Sequence, residues 1–174
     1  MGADKGLVDL KGRKMIEHVL QNAKAVSENI LIVSSNPEYK SFGYPVIEDA
    51  YKNCGPLGGI HAGLSNSQTK WNLVIGCDMP FISSAFLLFL ISTISDADAI
   101  VPVHENFAEP ICALYNRSSL NKIMSLLETR ELKMQSVVNH LNSKLIDIPS
   151  DQFNSTLIFK NLNTQGELRS AIHP

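Results

Sequence analysis

The distribution of apolar residues along the chain predicts a regular alternation of strands and helices. Between residues 14 and 27 the apolar positions recur at helical spacing and form one amphipathic stripe. The stretch at 29–35 is instead a continuous apolar run of strand length, which is typical of a strand covered on both faces. The same criteria predict further strands at 44–49, 72–78, 98–103, 109–115 and 144–148, a glycine-rich turn and helix at 54–64, and helices at 83–94, 118–128, 133–142 and from Gln165 onward.

This order of elements predicts the fold class. Strands that alternate with helices are joined by crossover connections and fold as helices packed on both faces of a sheet. We therefore predict a three-layer α/β protein with a mostly parallel sheet. No linker, repeat or low-complexity segment divides the chain, so we expect a single domain over residues 1–174. The most apolar run, at 85–94, is about half the ~20 residues that a membrane-spanning helix needs, which predicts a buried helix.

The bulk composition excludes several classes of partner. The net charge of −2, with 18% charged residues, provides no basic field for nucleic acid. Three cysteines, Cys54, Cys77 and Cys112, show no CxxC spacing and fit small core residues in a reducing compartment. No secretory signal or transit segment is recognisable. We therefore expect a cytoplasmic protein that binds neither nucleic acid nor membrane.

Candidates for chemistry are the residues that follow the strands, because ligands of such sheets bind beyond the carboxyl ends of the strands. Asp78 follows an apolar strand and precedes Met-Pro, a position that suits an oxygen ligand of Mg²⁺ and equally a cap of the next turn. Asp49 ends another strand, where a loop cap is the simpler interpretation. The segment at 55–59 offers backbone N–H groups to a phosphate at the start of a helix, although a tight turn has the same composition. Lys5 is suited to a triphosphate, but terminal lysines are usually solvated.

Other chemistries lack their motifs. Neither GxxxxGK[ST] nor GxGxxG occurs, so a Walker-type NTPase is disfavoured. The histidines are scattered without paired metal spacing, and His61, although near the expected site, is more simply a packed or surface residue. No GxSxG elbow marks a nucleophile, so covalent catalysis is disfavoured as well.

Six segments taken in order resemble one known family. They are MGADKG, VIED, GPLGGIHAGL, CDMPFI, EPICALY and NLNT, and they span nearly the whole chain. Together they resemble the molybdenum cofactor guanylyltransferases, the MobA-like branch of the nucleotidyltransferases. The resemblance implies a Rossmann-like α/β/α sandwich of the nucleotide-diphospho-sugar transferase type. It also implies an Mg²⁺-dependent enzyme that transfers GMP from GTP to molybdopterin and releases pyrophosphate.

The resemblance assigns roles to individual residues. It makes Asp78 the Mg²⁺ ligand and Lys5 the lysine beside the nucleotide phosphates, so these two would carry the catalysis. It makes Asn36 and Asp49 guanosine-nucleotide contacts. The remaining substrate-binding positions are Gly55, Pro56 and Leu57 in the pocket loop, and Asn161 and Asn163 on the pterin side. The partners it implies, besides GTP and molybdopterin, are other cofactor-biosynthesis proteins and molybdoenzymes or their chaperones.

One departure from the family pattern concerns the start of the sequence. The family pattern LAGGxSxRMGxDK is represented here only from its Met-Gly onward, without the first strand, the paired glycines and the arginine. We therefore expect the sequence to be an N-terminally truncated form of the family domain. Two alternatives to guanylyl transfer stay open, namely a cytidylyltransferase of the same branch and a non-catalytic binding relative.

Overall fold

The structure is a computed structural model that describes residues 4–160 and residue 162. Within them the strands are β1 (Asp9–Leu10), β2 (Arg13–Lys14), β3 (Ile32–Val33), β4 (Val46–Ile47), β5 (Trp71–Ile75), β6 (Ala99–His104), β7 (Phe107–Ala108), β8 (Cys112–Asn116) and β9 (Ser143–Asp147). The α-helices are α1 (Met15–Lys24), α2 (Gly55–Asn66), α3 (Ser84–Ser92), α4 (Leu120–Glu128), α5 (Met134–His140) and α6 (Ser155–Ile158). Short 3₁₀ helices occupy Lys5–Leu7, Pro37–Phe42 and Arg117–Ser119. The helix predicted from Gln165 lies outside the described residues.

The main sheet is built around β6. Strands β5, β8 and β6 are neighbours in that order, and β7 and β9 also pair with β6. The β6–β9 pair is parallel, whereas β8 runs antiparallel to both β5 and β6. The α/β fold class is thus confirmed, with a sheet that is mixed where the sequence pattern favoured a mostly parallel one. The reversal arises because residues 105 and 106 form a tight hairpin turn, with φ values of 49° and 67°, in place of a helical crossover.

Side-chain alternation along β6 and β8 creates the two faces of the sheet. Ala99 and Val101 of β6 face one core, which also contains residues of α2, α4 and α5, including Leu57, Ile60, Ile123 and Val137. Ile100 of β6 faces a second core, with Phe86, Leu87 and Leu90 of α3 and Phe159. A period of two along a strand places successive side chains on opposite faces. The predicted arrangement of helices on both faces of a sheet is therefore confirmed.

The apolar run at 85–94 lies mostly in α3, as predicted, but this helix is buried on one face only, since Leu88 is 54% exposed. Phe86, Leu87 and Leu90 are each 0% exposed, and they form the centre of the second core. Across the described part of the chain, no helix has both the length and the apolar composition needed to cross a bilayer. Cytoplasmic location stays a prediction.

A second, smaller sheet consists of β3 and β4, which pair in parallel. Within residues 4–160 and 162, no strand pairs with β5 on the edge away from β8. All five residues of β5 are accordingly half-buried, whereas all five of β8 are buried. The 3₁₀ turn at Lys5–Leu7 reaches the region between the two sheets, where Gly6 lies against both Tyr39 and Cys77. This turn brings the start of the described chain to the carboxyl end of β5.

Candidate functional site

The centre of the site is an ion pair between Lys5 and Asp78. Lys5 Nζ lies 3.4 Å from Asp78 Oδ2, and the two side chains are 42% and 27% exposed. A pair so open to water contributes only about 0–1 kcal/mol to stability. Its main effect is to place one positive and one negative charge side by side at the carboxyl end of β5. The hydrogen bonds of the turn after Asp78 run between backbone groups, such as Met79 N–H to the Gly76 carbonyl. No backbone N–H of that turn, which is fully described, donates to the Asp78 carboxylate.

Asn36 joins this centre through Asp4. Asn36 follows β3, and its Nδ2 donates to Asp4 Oδ2 at 3.3 Å, while its Oδ1 accepts from Glu38 N–H at 3.0 Å. Asp4 directly precedes Lys5, and its Oδ1 accepts from Gly6 N–H at 3.2 Å. The end of β3 and the turn that carries Lys5 are therefore connected by a hydrogen-bonded side-chain bridge.

Asp49 is held at the end of β4 by two neighbours. Its Oδ1 accepts from Tyr51 N–H at 2.7 Å, which is the loop-capping role that the sequence suggested. Its carboxylate also lies directly on Gly58 of α2, where an added Cβ would come within 2.8 Å of Asp49 Cγ. A side chain at position 58 would therefore displace the carboxylate, so the glycine and the position of Asp49 are coupled.

The start of α2 supplies backbone donors. Gly55 adopts a φ of 58°, a left-handed conformation that glycine tolerates best, and it opens the helix. Pro56 has no N–H, and the Gly58 N–H makes the first intrahelical bond, so the first-turn donors left without a helical acceptor are Gly55 and Leu57, and such amides bind anionic groups. Leu57, expected in the pocket loop, has a side chain that is 0% exposed and lies in the core. Its contribution to a ligand is therefore limited to its backbone.

His61 packs beside Asp49. Its ring is edge-on to Tyr51 with centroids 4.9 Å apart, and its Nδ1 is buried without a hydrogen-bond partner among the described residues. Burial lowers the pKa of His61, and the Asp49 charge partly offsets this effect. The packed ring agrees with the simpler interpretation from the sequence, which was a packed or surface residue.

Sequence reasoning missed two features of this region. Tyr39 donates a 2.6 Å hydrogen bond to Asp4, and no local pattern links two residues so far apart in sequence. Glu109 lies in the turn before β8, where Ile111 O accepts from Gly76 N–H at 2.8 Å and so brings this turn to the end of β5. Burial raises the pKa of Glu109 to about 7. Its position depends on the antiparallel register of β8 on β5, which no local sequence pattern encodes.

The residues present fit a single Mg²⁺ ion. In the part of the chain that is described, no group of three or more His, Cys, Asp or Glu side chains is placed to hold a metal. Mg²⁺ is usually held by one or two carboxylates plus substrate phosphates, and Asp78 provides one accessible carboxylate beside the Lys5 ammonium. The pterin-side candidates Asn161 and Asn163 lie outside the described residues.

Comparison with known proteins identifies the family of the chain. The family described as MobA-like NTP transferase domain matches residues 1–145. The probable molybdenum cofactor guanylyltransferase of Flavobacterium johnsoniae is 34% identical over 170 residues, which cover 97% of this chain and 87% of that relative. The molybdenum cofactor guanylyltransferase of Vibrio campbellii is 34% identical over 171 residues, covering 96% and 85%.

Solved structures show the same fold. Molybdopterin-guanine dinucleotide biosynthesis protein A from Archaeoglobus fulgidus superposes with a TM-score of 0.82 and 25% identity, over 98% of this chain and 90% of that one. The 2-C-methyl-D-erythritol 4-phosphate cytidylyltransferase of Thermus thermophilus superposes with a TM-score of 0.68 at 14% identity, over 96% and 91%, which shows the fold alone. The resemblance read from the six sequence segments is thereby confirmed. The chain belongs to the MobA-like NTP transferase family of nucleotidyltransferases.

Proposed function

We propose that the protein transfers GMP from GTP to molybdopterin, forming molybdopterin guanine dinucleotide and releasing pyrophosphate. The observation that carries the proposal is the Lys5–Asp78 pair at the carboxyl end of β5. The names of the relatives, which are molybdenum cofactor guanylyltransferases, support the choice of substrates.

Lys5 and Asp78 are the two charged groups assigned to the phosphates. Asp78 would hold Mg²⁺ together with phosphate oxygens of the nucleotide, and the bound ion would neutralise charge on those oxygens. The Lys5 ammonium, 3.4 Å from Asp78, adds a positive charge to the same place. Charged donors fixed before the reaction stabilise charge that develops in the transition state.

The nucleoside end of GTP is assigned to the loops after β3 and β4. Asn36 and Asp49 lie at these strand ends, and both are anchored by hydrogen bonds to backbone N–H groups. A carboxylate accepts hydrogen bonds from hydroxyl or amide donors, and an amide side chain both donates and accepts. The first-turn amides of α2 are the remaining donors for the polar edge of the nucleotide.

The chemical step needs no side-chain nucleophile. A terminal phosphate oxygen of molybdopterin attacks the α-phosphorus of GTP, one P–O bond forms, and the bond to the β-phosphate oxygen breaks. Pyrophosphate leaves with its electron pair, and Lys5 offsets the charge that it gains. Asn161 and Asn163 are assigned to the pterin substrate, as proposals from the family resemblance alone.

The test is pyrophosphate release from GTP in the presence of molybdopterin and Mg²⁺. We expect release only when both substrates are present, and slower release with CTP, because a site that hydrogen-bonds one base leaves its groups unpaired with another. Asp78→Asn should lower kcat, because the variant loses about 2–4 kcal/mol of transition-state stabilisation. Asp96→Asn, a change of the same kind at an exposed aspartate before β6, is the matched control.

Three results would contradict the proposal. Faster turnover with CTP would identify a cytidylyltransferase. Binding of GTP without any pyrophosphate release would identify a binding relative. Equal rates for Asp78→Asn and Asp96→Asn would remove Asp78 from the mechanism.

A further inference from the structure

Tyr39 lies at the centre of a hydrogen-bonded group and has no role in the proposed chemistry. It is 3% exposed, and its ring packs with Ile16 and Ile32 in a small core beside β3. Its hydroxyl donates to Asp4 Oδ1 at 2.6 Å. The same carboxylate accepts from Asn36 and from Gly6 N–H, so one acidic side chain receives three donors.

Close packing around Gly6 leaves no room for a side chain between the turn and Tyr39. A Cβ at position 6 would overlap the Tyr39 hydroxyl and lie 3.1 Å from both Cβ and Sγ of Cys77. Contacts under 3.0 Å are essentially never observed for a real Cβ, so the backbone of the turn rests directly on the hydroxyl. The hydroxyl therefore limits where the turn lies as well as bonding to the residue that precedes it.

We propose that Tyr39 is a positioning residue for the nucleotide phosphates: through Asp4 and Gly6, its hydroxyl places the turn that carries Lys5 over Asp78. The proposal rests on the proposed function, since the phosphates are the ligand that Lys5 and Asp78 would share. Tyr39 itself need not touch the substrate.

The strength of its hydrogen bond makes the Tyr39 hydroxyl, and not only the ring, important for the position of the turn. Burial, together with the hydrogen bond to Asp4, raises the pKa of Tyr39, so the hydroxyl stays protonated and remains a donor. A hydrogen bond to a charged acceptor is stronger than a neutral one, and its loss leaves part of the Asp4 carboxylate without its buried partner. Lys5 is a long side chain, so its placement depends on how firmly the backbone of the turn is held.

The experiment compares Tyr39→Phe with Tyr44→Phe. Tyr44 belongs to the same small core, and no described residue makes a hydrogen bond to its hydroxyl, so it controls for loss of a phenol oxygen. Asp4→Ala removes the acceptor from the exposed side, without changing the core. Two quantities are measured for each protein: amide hydrogen exchange at Gly6 and Leu7, and the Kd for Mg²⁺-GTP.

The expected result is a rise of about tenfold in exchange at Gly6 and Leu7, and a similar rise in Kd, in Tyr39→Phe. Tyr44→Phe should match the wild type in both. Because the two side chains share one bond, the effect of Tyr39→Phe combined with Asp4→Ala should be smaller than the sum of the two single effects.

Two results would overturn the role of Tyr39: exchange in Tyr39→Phe equal to that in Tyr44→Phe, or faster exchange with an unchanged Kd. Additive effects in the double variant would equally contradict a shared bond. If the wild type binds no nucleoside triphosphate, the proposed function fails, and the exchange data then decide alone whether Tyr39 orders the turn.

Discussion

Replacement of Gly58 by alanine should separate ligand binding from stability. The added Cβ would overlap Asp49 Oδ2 and lie 2.8 Å from Cγ and 2.9 Å from Oδ1. All three contacts are closer than a real Cβ allows, so the substitution must move the Asp49 side chain or the helix. The side chain is the softer of the two, because α2 is packed into the core through Leu57 and Ile60.

The cost follows from the bond that Asp49 must give up. Rotation of the carboxylate breaks the 2.7 Å hydrogen bond from Tyr51 N–H, and bonds to charged groups contribute about 1.5–3 kcal/mol. Alanine is about 0.8–1.0 kcal/mol more favourable than glycine inside a helix, which offsets part of this loss. We therefore expect a net destabilisation of about 0.5–2 kcal/mol, or a fall in Tm of a few degrees. The Kd for Mg²⁺-GTP should rise by about tenfold or more, because Asp49 would no longer be in place.

Gly59→Ala provides the matched control. It is the next residue of the same helix, and an added Cβ there meets nothing within 4 Å. This variant should gain up to about 1 kcal/mol in stability and bind Mg²⁺-GTP as the wild type does. Thermal unfolding and calorimetric titration of the three proteins give both numbers. Wild-type affinity in Gly58→Ala, or an equal loss in Gly59→Ala, would refute the placement of Asp49 at the nucleotide.

Three further predictions concern charge. Lys5→Met should lower kcat/KM by about 100-fold, measured by pyrophosphate release, because one fixed positive charge is lost at the leaving group. Burial raises the pKa of Glu109 from 4.5 to about 7, because the folded protein favours the neutral carboxyl. The stability that this group contributes is therefore fully present below pH 4.5 and is lost as the pH rises towards 7. Because the carboxyl is only half-buried, we expect the free energy of unfolding to fall by about 1–2 kcal/mol over this pH range. Glu109→Gln should abolish this pH dependence, as measured by denaturant titrations at several pH values. Burial alone would raise the pKa of Asp98, but hydrogen bonds from Lys122 and from Asn142 N–H lower it overall. Asp98→Asn should therefore cost about 1–2 kcal/mol at pH 7 and progressively less as the pH falls below 3.8, and a flat difference would contradict this.

Part of the site could be predicted because local pattern determines it. The apolar run before Cys-Asp-Met-Pro predicted a strand over 72–78, and Asp78 does follow a strand, although β5 already ends at Ile75. The amphipathic stripe at 14–27 similarly predicted α1, because helical periodicity is a local property. The proximity of Lys5 to Asp78 was expected from the family resemblance and not from spacing.

The remainder depends on contacts that local pattern does not encode. Periodicity carries no strand direction, so the antiparallel course of β8 required the hairpin at residues 105–106 to be recognised. The run at 29–35 was predicted as a strand, yet only Ile32–Val33 pairs, because strand length is set by the partner. The bond from Tyr39 to Asp4 joins positions 35 residues apart, and only the folded chain brings them together.

The most direct test of the account is to follow each phosphorus of GTP through the reaction. The protein would be incubated with molybdopterin, Mg²⁺ and GTP labelled at either the α- or the γ-phosphate. The account predicts that the α label appears in the pterin product and the γ label in pyrophosphate, and that Asp78→Asn suppresses both. Transfer of the γ label to the pterin, or retention of the α label in free guanine nucleotide while molybdopterin is in excess, would contradict guanylyl transfer by this site.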